Sequence, residues 1–164
     1  MPEPTFWRTE VWHPLTVHFP IALLTFATIV KLIAVFLKPA SADFWQKMGS
    51  FLLYTGTLAA WLSVFTGDLA DGVVSRKICD PTVLKDHERF AELMTYTFTA
   101  AAFLDLAVHT GMLKYKPRLL KFLILLLLVT GTGFLTYAGH LGARVVYQQA
   151  GGVYVPSADC AEFN

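Results

Sequence analysis

Apolar residues run almost without interruption over Leu15 to Leu37, Met48 to Leu69, Phe90 to Leu113 and Leu119 to Leu141. Each window matches the roughly 20 residues that an α-helix needs to cross the hydrocarbon core of a bilayer. The pattern therefore predicts four membrane-spanning helices. Pro39, Ala40, Ser41, Ala42 and Asp43 punctuate the first pair, and Lys114, Tyr115, Lys116 and Pro117 the second, so both connections are short and the helices they join are expected to be antiparallel neighbours. The middle connection, Ala70 to Arg89, is longer and polar. The fold class expected is all-α: an integral-membrane four-helix bundle forming one domain over residues 1–164. Met1 to Trp12 carry Glu3, Arg8 and Glu10, and the first apolar window is too long for a signal core, so the first helix is expected to stay in the mature protein. No internal repeat is expected from the pattern, and the Leu-rich run Leu123 to Leu128 reads as a lipid-facing stretch.

Composition sharpens this picture. The 164 residues are 55% hydrophobic and only 15% charged, outside the range of ordinary soluble domains. Four spans take about 80 residues, which leaves loops and tails but no separate catalytic domain, so an electron carrier or the subunit of a complex is expected rather than a stand-alone enzyme. A formal charge of +1 with no basic stripe excludes nucleic acid as a partner. Lys31, Lys38, Lys47, Lys114, Lys116, Arg118 and Lys121 crowd one side in short connections. That side is expected to be cytoplasmic, with both termini outward from a bacterial inner membrane. Cys79 and Cys160 then both fall on the outer side, where an oxidising compartment permits a disulfide between them, two free thiols being the alternative.

The chain has five histidines. His13 and His18 open the first span, His87 opens the third and His140 closes the fourth, so an antiparallel bundle puts all four at one membrane face. An imidazole inside a span is costly unless it faces the bundle interior, lines a wet route or binds something. Two rings on facing helices form the axial pair of a b-type haem in a bundle, and the absence of C-x-x-C-H excludes covalent attachment. Two of His18, His87 and His140 are the expected ligands, with His18 and His140 the first choice. Gly131, Gly133, Gly139 and Gly142 would lower the wall near His140, or simply pack helices. Phe19, Trp61, Phe65, Phe90 and Phe134 would give aromatic faces or fill core and interface, and Arg89, Arg144 and Arg8 would meet propionates. The alternatives are a zinc or copper site on His13, His18, His87 and His140 with Asp68 or Asp71, and interfacial histidines in a cofactor-free structural subunit. Against the metal, His13 and His18 are five residues apart, whereas a helical metal pair prefers i, i+4 or i, i+3; Pro14 relaxes the objection by setting His13 at the helix start.

Lys31 and Asp105 lie at similar depth in the inner halves of their helices, and an ion pair is the cheapest way to keep both in a bilayer; His109, four residues after Asp105, is a candidate third member. Pinning the bundle is the expected role, ahead of proton relay. Glu88 and Glu92, four residues apart near His87, either accept protons from a quinol or are solvated at the rim.

The segments His13-Pro14-Leu15-Thr16-Val17-His18-Phe19-Pro20-Ile21-Ala22-Leu23-Leu24 and Gly139-His140-Leu141-Gly142-Ala143-Arg144-Val145-Val146-Tyr147 resemble a family of small bacterial four-helix membrane proteins known under a "domain of unknown function" label, whose opening motif is H-P-x-x-V-H-F-P-I-A-L. Asp86-His87 falls where that family carries a histidine. The resemblance implies a four-helix integral membrane domain. Relatives fused to Rieske or cytochrome c modules imply a redox setting, with quinol and a periplasmic cytochrome or Rieske protein as partners within a larger membrane complex. His13, His18, His87 and His140 match the family pattern. Ala143, Gln149 and Ala150 depart from its G-G-x-L-V-Y-x-H-G segment, so no ligand role carries over there.

Overall fold

Prolines begin three of the five helices. The computed structural model describes residues 6–113, 117–155 and 158, and its helices are α1 (Thr9–Thr16), α2 (His18–Val35), α3 (Pro39–Val74), α4 (Pro81–His109) and α5 (Pro117–Gln149). A proline in the first turn gives up an N–H that has no helical partner there and fixes φ at a helical value. Pro39, and the Pro81 that precedes the expected third span, therefore start helices well ahead of the apolar windows. At α4 the Asp80 side chain also caps the first turn, accepting from the Thr82 amide at 3.0 Å and from its hydroxyl at 2.6 Å. These bonds hold the Asp80 carboxyl below the ordinary carboxylate value. Consequently α3 is 36 residues long, about 54 Å at 1.5 Å per residue, far beyond the expected 48–69. The long middle connection shrinks to residues 75–80. At the other end α4 stops at His109, short of the expected Leu113, where Gly111 takes φ +74° to turn the chain.

The first apolar window is not one straight helix. Pro20 lacks the N–H that would bond Thr16, and its ring crowds that carbonyl, so the helix is interrupted at Val17 while the run Thr9–Val35 still forms a single candidate span. Ser41–Val74, Pro81–His109 and Arg118–Gln149 are the other three helices long and apolar enough to cross a membrane. Among the described residues there is no strand.

Small residues set the helix approaches. Gly56 lies against Leu24, Gly49 against Lys31 and Gly67 against His13, so α3 doubles back along α2 and α1. In the same way Gly131 lies against Phe98 and Gly142 against His87, so α5 doubles back along α4. Leu24, Leu53, Phe98 and Leu128 fill the centre and are fully buried. Each hairpin also packs on the other, α2 on α5 and α3 on α4, which leaves α2 and α4 on one diagonal of the bundle.

The two hairpins are copies of one plan, contrary to the expectation of no repeat. Equivalent positions in α1–α2 and α4 are offset by 74 residues (13 to 87, 24 to 98, 31 to 105), and in α3 and α5 by 75 (56 to 131, 67 to 142). Gly56–Leu24 maps onto Gly131–Phe98 and Gly67–His13 onto Gly142–His87 under these offsets, while Gly49, against Lys31, has Ile124 as its counterpart. The sequence carries the same signal in Leu52-Leu53-Tyr54-Thr55-Gly56-Thr57 and Leu127-Leu128-Val129-Thr130-Gly131-Thr132. An approximate two-fold therefore relates the hairpins, and residues near its axis meet their own counterparts.

Lys31 and Asp105 are one such pair. Lys31 Nζ lies 2.6 Å from Asp105 Oδ1 and donates to Ser50 Oγ at 3.0 Å, while Tyr54 donates to Asp105 Oδ2 at 2.9 Å. Both charges are buried, and Nζ and both carboxylate oxygens each have hydrogen-bond partners, which is the condition for tolerating such a pair away from water. The pair is as expected, but its third member is Tyr54 rather than His109, which is exposed beyond it.

Candidate functional site

At the opposite end of the bundle the second self-paired position is occupied by His13 and His87. Their ring centroids are 6.0 Å apart with the planes at 75°. Each ring is fixed in the same way. His13 Nδ1 donates to the Ser63 carbonyl of α3 at 3.0 Å, and His87 Nδ1 donates to the Ala138 carbonyl of α5 at 2.9 Å. A carbonyl only accepts, so each Nδ1 carries the proton and Nε2 is left as the lone-pair nitrogen. Backbone carbonyls orient metal-binding imidazoles through this same bond.

One turn on from each acceptor sits a glycine that makes room for the ring. A Cβ on Gly67 would come within 3.2 Å of His13 Cε1, and one on Gly142 within 3.1 Å of His87 Cε1. The four positions 63, 67, 138 and 142 obey the repeat offset, so one hairpin plan has been used twice to present one imidazole from each side.

Below and around the pair lies a cavity of about 480 Å³ on the two-fold axis, within the range of about 300–1,000 Å³ usual for small-molecule sites. It runs from Glu10 down to Ile21, about 16 Å of helix rise. Most of its wall is aliphatic, with Ala60, Met94 and Leu135 at the floor, and none of its lining residues is Phe, Tyr or Trp. Ser63, buried and lining the cavity, has an Oγ with no hydrogen-bond partner. Among the described residues the charged ones lining the cavity are all acids, Glu10, Asp68, Asp71, Glu88 and Glu92. Arg8 donates to Glu10 at 3.0 Å; Lys85 lies 2.8 Å from Glu88 and 3.7 Å from Asp71.

The remaining histidines separate. His18 is exposed and lines the cavity below His13. His140 is exposed and does not line it; its ring stacks on Tyr137, with centroids 6.2 Å apart. The repeat accounts for this, because His140 corresponds to Phe65, which is itself exposed on the outer surface of α3. The first-choice pair, His18 and His140, is thus not brought together, whereas His13 and His87 are. The reason is angular: His140 lies two residues after Ala138 and so points well round the helix from the face that receives the His87 ring. Neither Arg89, which is exposed, nor Arg144, which donates to Gln148 at 3.0 Å, lines the cavity. Phe19, Trp61 and Phe65 are exposed away from the cavity, and Phe90 packs with Phe134 and Tyr137. Among the described residues no three His, Cys, Asp or Glu side chains are grouped to hold a metal ion. Cys79 is an exposed free thiol; Cys160 lies outside the described residues.

No curated protein and no solved structure matches this chain. A family model described as "Predicted membrane protein (DUF2231)" matches residues 10–154, a range that holds both histidines of the pair, the whole cavity and the Lys31–Asp105 clamp. The chain belongs to this DUF2231 family of predicted membrane proteins.

Proposed function

We propose that the chain holds a b-type haem between His13 and His87 and carries electrons between membrane quinol and a redox partner, such as a cytochrome or Rieske protein, at the periplasmic face. The protein then lies in a bacterial inner membrane with both termini outward and the lysine-rich connections in the cytoplasm. The observation that supports this reading is the centroid spacing of 6.0 Å between two rings whose Nδ1 atoms are both committed to backbone carbonyls. His13 and His87 would hold the group through their Nε2 nitrogens, their Nδ1 atoms being already engaged by backbone carbonyls. His13 on α1 and His87 on α4 both line the cavity, which is where a flat macrocycle would sit. When bound, haem supplies one-electron exchange at its iron. The residues fix the ring tautomers and exclude water with an aliphatic wall. Arg8 and Lys85, which do not line the cavity but pair with its lining carboxylates Glu10 and Glu88, would be the cations available to propionates.

Purified full-length protein from cells supplied with haem should give a reduced-minus-oxidised spectrum with sharp alpha and Soret bands. His13→Ala and His87→Ala should each abolish the bands while the protein still inserts, and His140→Ala should keep them. A spectrum without bands overturns the haem reading. Colourless protein with stoichiometric zinc or copper would put a metal ion on the same two imidazoles instead.

A further inference from the structure

The two-fold that builds the cavity gives it two flanks, one where α2 passes α5 and one where α4 passes α3. Repeat-equivalent residues line them, yet the chemistry has diverged. The α4–α3 flank is acidic: Glu88, Glu92 and Asp71 line it, together with Val64. The α2–α5 flank carries Pro14, His18 and Val146 at the corresponding places, and Gly139 where the other has Val64. A Cβ built on Gly139 meets nothing within 4 Å. Ile21, lining the same flank deep in the span, is 44% exposed. One flank thus carries a branched side chain where the other carries a glycine facing open space, beside a half-exposed Ile21.

We propose that the gap between α2 and α5 at Gly139 is a lateral portal through which the cavity takes the head group of a lipid-borne quinol. This rests on the redox reading of the cavity and names the substrate side of it. A ligand arriving through hydrocarbon must be apolar over most of its surface, which matches the aliphatic flank. Its polar atoms need partners once inside, because unpaired polar groups are costly there. His18 stands at the portal itself, and the Ser63 Oγ, buried and unpartnered, lines the cavity beyond it. A quinol, a flat ring with hydroxyls at opposite ends on an apolar tail, satisfies both demands. An aliphatic lipid tail would leave Ser63 unpartnered, and a water-soluble ligand would have no need of an opening at Ile21.

The test imports the repeat's own residue. Full-length protein in nanodiscs is labelled with a photoreactive short-tailed azidoquinone and the adducts are mapped by mass spectrometry, with the haem spectrum recorded on the same samples. Label is expected on residues 17–21 of α2 and 139–146 of α5, displaced by decylubiquinol. Gly139→Val should lower labelling about tenfold by filling the gap, and the converse Val64→Gly should not lower it. His18→Leu, which leaves the backbone and the opening intact, should weaken displacement by decylubiquinol several-fold through the lost hydrogen bond. Equal labelling in Gly139→Val, or label confined to the α3–α4 flank, overturns the portal. Haem bands without quinone labelling overturn the portal and leave the haem reading standing; labelling without haem bands does the reverse.

Discussion

Lys31 and Asp105 occupy the same place in the two halves of the chain and bond to each other at 2.6 Å. Under the two-fold, a residue near the axis faces its own counterpart, so two identical charged residues there would repel. One lysine and one aspartate instead neutralise each other. Removing either partner strands a charge in a dry environment, at a cost of about 3–5 kcal/mol. Lys31→Ala or Asp105→Ala should therefore sharply lower the melting temperature in detergent. The exchanged double variant, Lys31→Asp with Asp105→Lys, should recover most of that loss, because the positions are nearly interchangeable. Lack of recovery would mean that Ser50 and Tyr54 fix the polarity of the pair.

The glycines divide into those that carry the helix packing and those that do not. At Gly49, Gly56 and Gly131 an added Cβ would lie 2.5, 2.8 and 2.9 Å from Lys31, Leu24 and Phe98. Leu24 and Phe98 are fully buried and have nowhere to move. Alanine at Gly56 or Gly131 should destabilise by about 1–3 kcal/mol. Gly72 and Gly133 face open space, and alanine there should be neutral or slightly stabilising, since it lowers the conformational freedom lost on helix formation. Gly67→Ala and Gly142→Ala stand between these cases: the Cβ would sit just over 3 Å from an imidazole, and the effect should appear in what the histidine pair binds before it appears in stability. Thermal melting of the series in one detergent checks the ranking.

Much of this was legible from residue pattern, and the misses have physical causes. Apolar windows give the four spans because a bilayer leaves a chain few other options. They do not give the helix ends, since an α-helix continues past the hydrocarbon wherever a proline and a cap such as Asp80 can start it. The buried ion pair followed from depth alone. His140 misled because depth says nothing about azimuth: it is level with its acceptor neighbour Ala138 but turned outward. His13, left out of the expected haem ligands and kept for the metal alternative, became half of the central pair because α1 extends past it to Thr9. The repeat was in plain view in the shared L-L-x-T-G-T, but only two short segments retain it. Elsewhere, apart from isolated identities such as His13 with His87 and Gly67 with Gly142, the copies keep apolar character and burial rather than identity, as at Leu24 and Phe98.

Two hairpins that each hold their own ring-orienting bond should not need the connection between them. His13 is fixed by Ser63 within the first hairpin, and His87 by Ala138 within the second. What joins the halves is packing of α2 on α5 and α3 on α4, the Lys31–Asp105 pair, and the Thr28–Thr132 hydroxyl contact at 3.0 Å. Helices that insert independently associate afterwards through such packing and polar contacts. Coexpressing the chain as two pieces divided between Cys79 and Asp80, each with a different tag, should therefore give a complex that copurifies with both tags. An Asp105→Ala second piece should copurify much less, because Lys31 is then left buried and unpaired. Should the pieces insert but fail to associate even with the native residues, residues 75–80 would be required to hold the halves in register, and the two hairpins would not be self-sufficient units.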